Sequence, residues 1–196
     1  VLLTFYIGFF KPAHNWDMIG YVASVYKSDG FSNLDLLEAT YSDVENEVGA
    51  EKFSVMTTGD YRATVYNDYK SLEQQLPFYT PRVVYIALVK VAGIFGLSYS
   101  VGTYLVSSIF ACASVLVIAV MLKQLSLPIY ALPFLVVFSG LLQIARLSTP
   151  DAMACFFSLA AFSVFLSGRS YYLALAVLLP LVRTDFVILS VLLAFI

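Results

Sequence analysis

The sequence predicts an all-α fold: a polytopic bundle of transmembrane helices with a large outer loop that carries interfacial, juxtamembrane helices. Three observations lead there. The 196 residues are 60% hydrophobic and 12% charged, with a mean hydropathy of +0.84, far from the balance of a soluble domain. The stretch "VGTYLVSSIFACASVLVIAVML" (101–122) holds no charge and is long enough to cross roughly 30 Å of hydrocarbon. Ten of the thirteen carboxylates lie between Asp29 and Glu73, so the charge is confined to one water-facing excursion.

Taken in order, residues 1–10 ("VLLTFYIGFF") are too short for a whole span and carry no signal-peptide cleavage pattern, so they read as the exit half of a first helix in a longer polytopic chain. Residues 11–98 form the extracytoplasmic loop. Within it, "NLDLLEATYSDVENEVG" (33–49) has apolar residues near helical spacing and ends on glycine, which predicts a surface helix. "DYRATVYNDYKSLEQQL" (60–76) reads as a second helix, amphipathic and rich in tyrosine, a residue suited to the membrane interface. "PRVVYIALVKVAGIFGL" (81–97) is short for a span. Lys90 at its middle would cost about 2.5–3.5 kcal/mol at the bilayer centre, so a helix lying in the interface is expected.

Residues 99–196 carry the spans, at 101–122, 129–145, 152–167 and 171–182, with another beginning near Phe186. The segment 171–196 also reads as one long helix bent at Pro180. If residues 1–10 cross outward, alternation puts the long loop, "RLSTPD" (146–151) and "RTD" (183–185) outside, and "KQLSLP" (123–128) and "SGRS" (167–170) inside.

Composition also removes some functions. A net charge of −2 offers no basic surface for nucleic acid. Cys112 and Cys155 sit in apolar runs, where thiols behave as small hydrophobes, and the single histidine, His14, builds no metal site alone.

What remains is a set of charges at one face. Asp17, Arg146, Asp151, Arg183 and Asp185 all fall at the outer ends of apolar segments. Each has an ordinary explanation. Thr149-Pro150-Asp151 is a good helix start, with Thr149 as cap and the carboxylate near the positive end of the dipole. Asp17 and Asp185 repeat that logic, and the arginines can snorkel from span ends. Their recurrence together at one face points instead to chemistry. A carboxylate at the water–lipid boundary can act as a general base or hold a divalent cation, and arginine's planar fork binds phosphate. Acid plus arginine suits a lipid-linked phosphate leaving group and an acceptor hydroxyl.

At this point the chain resembles the GT-C fold glycosyltransferases, polytopic enzymes that use polyprenyl-phosphate-linked sugars, of the mannosyl- and aminoarabinose-transferase kind. The likeness is one of ordered pattern along nearly the whole chain. It consists of an acid in the first outer loop ("NWDMIGYVAS"), a Pro-containing juxtamembrane segment ("LPFYTPRVVYIALVKVAGIFGLS"), a second-loop "R-x-x-x-P-D" ("ARLSTPDAMA") and a basic residue after a later span ("LVRTD"). The resemblance implies Asp17 as catalytic base or orienter of the acceptor hydroxyl, with Asp151 assisting it. Arg146 and Arg183 would neutralise the departing lipid phosphate. Tyr79 and Arg82 would line the donor's path, although both also suit a plain interfacial anchor. A divalent cation, magnesium or manganese, held by Asp17 and Asp151 is the implied cofactor. Many members carry two adjacent acids in the first loop, whereas methionine follows Asp17 here. The implied partners are a lipid-linked sugar donor, membrane lipids and a glycan, lipid or protein acceptor. The implied place is the bacterial cytoplasmic membrane, with the site on its periplasmic side. Two other classes fit the same topology: a transporter or channel, in which charges would line a mid-depth path, and a non-catalytic subunit of an envelope polysaccharide assembly system.

Overall fold

The computed structural model describes residues 1–195, and these are all-helical. Thirteen α-helices occur among the described residues: α1 (Leu2–Phe10), α2 (Asp17–Ser28), α3 (Asn33–Val48), α4 (Ala50–Thr57), α5 (Asp60–Asn67), α6 (Tyr69–Gln75), α7 (Val83–Ile94), α8 (Tyr99–Gln124), α9 (Leu132–Phe138), α10 (Leu141–Ile144), α11 (Asp151–Leu166), α12 (Tyr172–Val182) and α13 (Val187–Ala194). Among them, α8 alone is long and apolar enough to cross a membrane. At 26 residues it is about 39 Å long.

Cross-contacts along α8 give the helix directions. Its Ser107 hydroxyl donates to the Thr149 carbonyl at 2.8 Å, just before α11. Near its far end, the Gln124 amide bonds to Ser167 Oγ at 2.9 Å. α11 therefore runs parallel to α8, and the chain between them returns. That return is not the single helix expected over 129–145. Pro128 and Pro133 shape its entry, α9 ends at Ser139, and Gly140 takes a left-handed conformation (φ +75°) before the short α10. Glycine reaches that conformation without a Cβ penalty, so it ends the helix there. α1 lies antiparallel to α8, and Gly8 lets it come close: a Cβ there would press on Ser108 and the Ala145 carbonyl.

The alternative of one bent helix over 171–196 does not hold. The α-helix stops at Val182, Arg183 is extended (φ −155°, ψ 117°), and α13 folds back so that Ser190 Oγ bonds to the Ala176 carbonyl at 2.6 Å. Arg183 and Asp185 thus sit in a turn between two short helices.

The loop helices form as the sequence suggests over 33–49, where α3 ends on Gly49 at φ +76°. They differ over 60–76. Asp68 interrupts that segment, its carboxylate accepting the Lys70 and Ser71 backbone N–H groups to start α6 separately. A side chain that caps a new helix competes with continuation of the old one.

The loop is fastened to α8 by Asp43, whose carboxylate accepts the backbone N–H groups of Tyr99 and Ser100, each at 3.1 Å, and the Tyr26 hydroxyl at 3.0 Å. A negative charge from a distant helix therefore sits on the positive end of the longest helix. α7 packs across the first turns of α8: Tyr85 Oη donates to the Thr103 carbonyl at 2.8 Å, and Gly102 faces Val89 and Ala92. Lys90 on α7 is ion-paired with Asp29 at the end of α2.

His14, between α1 and α2, stacks edge-on against Tyr104 with ring centroids 5.9 Å apart. Burial, with the Lys52 charge nearby, lowers its pKa from 6.5 to about 4. The folded protein therefore keeps His14 neutral where the unfolded chain protonates it. Its contribution to stability is fully present above pH 6.5 and is lost as pH falls from 6.5 towards 4. Thermal melting of His14→Gln should lose part of the parent's pH dependence in that window. Identical slopes for the two proteins would refute this account.

Candidate functional site

One cleft of about 230 Å³ gathers residues from four separated parts of the chain: Asp17, Tyr21, Phe78, Tyr79, Arg82, Thr149, Pro150, Asp151 and Arg183. Asp17 and Asp151 are the first residues of α2 and α11, Arg82 precedes α7, and Arg183 follows α12. Helix ends of opposite direction meet here, so the cleft is built from termini and turns.

Neither acid is consumed in capping its own helix. α2 and α11 have no side-chain cap bond. Asp17 instead accepts from Tyr79 Oη at 3.2 Å and Asn15 Nδ2 at 3.0 Å. Asp151 accepts from Thr149 Oγ1 at 2.8 Å and is ion-paired with Arg183. Thr149 is thus a partner of the carboxylate and not the helix cap that the sequence suggested. Arg183 Nε also donates to both Asp185 oxygens, at 2.9 and 3.0 Å, so one guanidinium bridges two acids.

Arg82 is different. No carboxylate pairs with it among the described residues, and its Nε is out of water without a hydrogen-bond partner. Its guanidinium carbon lies 6.0 Å from the centroid of the Tyr79 ring. Burial, reinforced by the neighbouring Asp17 charge, raises the Tyr79 phenol well above its usual pKa. Burial does the same to Tyr21, against the lowering effect of Arg82. Both phenols stay protonated, so Tyr79 is a donor to Asp17.

Arg146 is not part of this group. Its Nε donates to the Lys11 carbonyl at 2.6 Å, and its own carbonyl accepts the Ala13 N–H at 2.9 Å. Arg146 does not line the cleft, and its contacts tie the second loop to the first.

Two residues that the sequence did not single out hold the site together. Asn15 donates to Asp17 while its Oδ1 accepts the Ser148 N–H at 2.7 Å, tying the first-loop acid to the loop that carries the second. Gly20 supplies the flat surface against which the Tyr79 ring lies; any Cβ there would overlap the ring. Both lie in the "NWDMIGYVAS" stretch, where only the acid drew notice. Gly20→Ala should destabilise the fold by about 1–3 kcal/mol through overpacking and break the Tyr79–Asp17 contact. Unchanged unfolding free energy would show that the ring has room to move.

The donor set bears on the implied cation. Both Asp17 oxygens and Asp151 Oδ2 already accept a hydrogen bond, and the Arg183 guanidinium paired with Asp151 would repel a metal ion. Among the described residues there is no group of three or more His, Cys, Asp or Glu placed to share a metal. These residues do not fit a resident divalent cation, and the chemistry below uses none. Scans of the chain against protein-family models, characterised proteins and solved structures return no match.

Proposed function

We propose that this chain is part of an integral-membrane glycosyltransferase of the GT-C type. It moves a sugar from a polyprenyl-phosphate donor to a glycan, lipid or protein acceptor at the outer face of a multi-pass bundle, in the bacterial cytoplasmic membrane. The observation that carries this reading is the meeting of two acids and two arginines in one cleft at the ends of apolar helices. In that cleft Asp17, held by Tyr79 and Asn15, takes the proton of the acceptor hydroxyl as it attacks the sugar carbon. Arg82, with no acid partner, binds the donor phosphate, and Arg183 meets the negative charge that grows on the phosphate as the sugar–oxygen bond breaks.

A membrane setting is supported by apolar side chains left facing outward on the shorter helices, such as Leu2 (86% exposed), Phe138 (82%) and Ile188 (70%). The transporter reading wants charges at mid-depth. Here Arg183 and Asp185 lie in a turn, which favours the enzyme. The test is transfer by the membrane-embedded chain from a polyprenyl-phosphate sugar, together with Ser98→Cys labelled by a membrane-impermeant reagent. Labelling from the outer side with sugar transfer is expected. Labelling from the inner side alone would reverse the orientation, and absence of transfer with several donor sugars would count against the activity.

A further inference from the structure

Three tyrosines stand together beside the cleft, and they are not used alike. The Tyr21 ring, on α2, meets Tyr79 and Tyr85 edge to face, with centroids 5.0 and 4.8 Å away. Aromatic pairs favour that arrangement, so the middle ring is held from both sides. Tyr79 donates its hydroxyl to Asp17, and Tyr85 donates its own to the Thr103 carbonyl. Tyr21 lines the cleft with only 3% of its surface exposed. Its hydroxyl donates to no group among the described residues, and its oxygen is open to the cleft.

A second donor of the same cleft is equally free. No carboxylate pairs with the Arg82 guanidinium among the described residues. Burial keeps the Tyr21 phenol protonated, and of the charges that act on it the Arg82 charge is the strongest, ahead of Asp17 and Arg183. The two free donors are therefore neighbours. The acceptors at hand are taken, Asp17 by Tyr79 and Asn15, and Asp151 by Thr149 and Arg183. One charged and one neutral donor, side by side with no oxygen of the protein to receive either, fit an oxygen-rich anion that comes from outside.

We propose that Tyr21 is a phosphate-contacting residue of this cleft, its hydroxyl donating to an oxygen of the same phosphate that Arg82 binds. The proposal rests on the glycosyl-transfer reading for the ligand, a lipid-linked phosphate, and on the cleft for the contact. A neutral phenol suits the place, because it adds a hydrogen bond without adding charge beside Arg82 and Arg183. The two flanking rings fix the oxygen before a ligand arrives, so little order has to be created on binding. The contact would strengthen as negative charge gathers on the phosphate while the sugar departs.

The experiment titrates the full chain, in phosphate-free maltoside micelles, with farnesyl phosphate, farnesol and inorganic phosphate in separate calorimetric runs. Tyr21→Phe removes one oxygen and keeps the ring, so its thermal melt should match the parent's. It should bind farnesyl phosphate ~10-fold less tightly or worse, the usual loss for one hydrogen bond to a charged group. Its affinity for farnesol should equal the parent's. Arg82→Gln should also weaken farnesyl phosphate, and adding Tyr21→Phe to it should lose less than Tyr21→Phe loses alone, because both groups act on one phosphate. Farnesyl phosphate bound more tightly than inorganic phosphate names a lipid-linked source. The reverse order upholds the contact and takes the lipid away from the transfer reading. Tyr21-dependent binding in a chain that transfers no sugar would likewise keep the contact and remove that reading. Parental affinity in Tyr21→Phe, an equal loss for farnesol and farnesyl phosphate, or no parental binding of either phosphate at millimolar concentration would each overturn the proposal.

Discussion

Asp17→Asn should lower sugar transfer by about 10²–10⁴-fold, the range lost when a positioned general base is removed. The substitution suits the test because the site's geometry tolerates it. An asparagine oxygen can accept from Asn15 as the carboxylate does, and its amide can donate to the Tyr79 oxygen, so neither neighbour is stranded. Helix α2 should also survive. Asp17 makes no side-chain cap bond there, and loss of its charge from the first turn costs only about 0.3–1 kcal/mol. Turnover from a polyprenyl-phosphate sugar, measured beside a thermal melt, separates the two effects. A well-folded Asp17→Asn protein with near-normal transfer would remove Asp17 from the mechanism.

Arg183→Gln should reduce transfer by about 10²–10³-fold, the usual cost of losing one preorganised group that meets charge in the transition state. Its effect on stability should be small. The Arg183–Asp151 pair keeps about a third and a quarter of its side-chain surfaces in solvent, at 34% and 24%, and such pairs contribute only about 0–1 kcal/mol. Asp151 also stays at the start of α11, where the helix dipole continues to favour its charge. Arg183→Lys should recover only part of the loss, since an ammonium keeps the charge but cannot reproduce a planar fork that spans Asp151 and Asp185. The result to watch for is a large stability loss with proportionate loss of transfer. That outcome would make Arg183 a structural tie between α11 and α12 and nothing more.

How much of this was readable beforehand depended on whether the signal was local. The charge-free run over 101–122 became α8, and the periodic segment 33–49 became α3, because length and spacing carry such elements without outside help. The interruptions were harder. Asp68 and Gly140 each broke a segment that averages as helical, one by capping a new helix and the other by a left-handed turn, and apolar averaging is blind to both. In the site, Asp17, Asp151 and Arg183 stood out because charge is rare near apolar segment ends, whereas Tyr79 and Arg82 came only through the family resemblance. Arg146 stood out equally but does not line the cleft, its Nε bonding instead to the Lys11 carbonyl. Asn15 and Gly20 could not be found in one dimension. Their significance is a contact with Ser148 and with the Tyr79 ring, residues far along the chain.

The bridge from Arg183 to Asp151 and Asp185 also sets an order of assembly. A chain emerging from the ribosome presents Asp17 first and Asp151 much later, and the guanidinium that answers Asp151 arrives only once α12 is complete. Until then only the Thr149 hydroxyl and the α11 dipole meet the Asp151 carboxylate. The cleft therefore closes late, because the residues that line it come from separated parts of the chain and their loop entropy must be overcome first. A chain arrested between Ser167 and Arg183 would hold α8 and α11 side by side, yet carry a half-built cleft whose second acid has no cation.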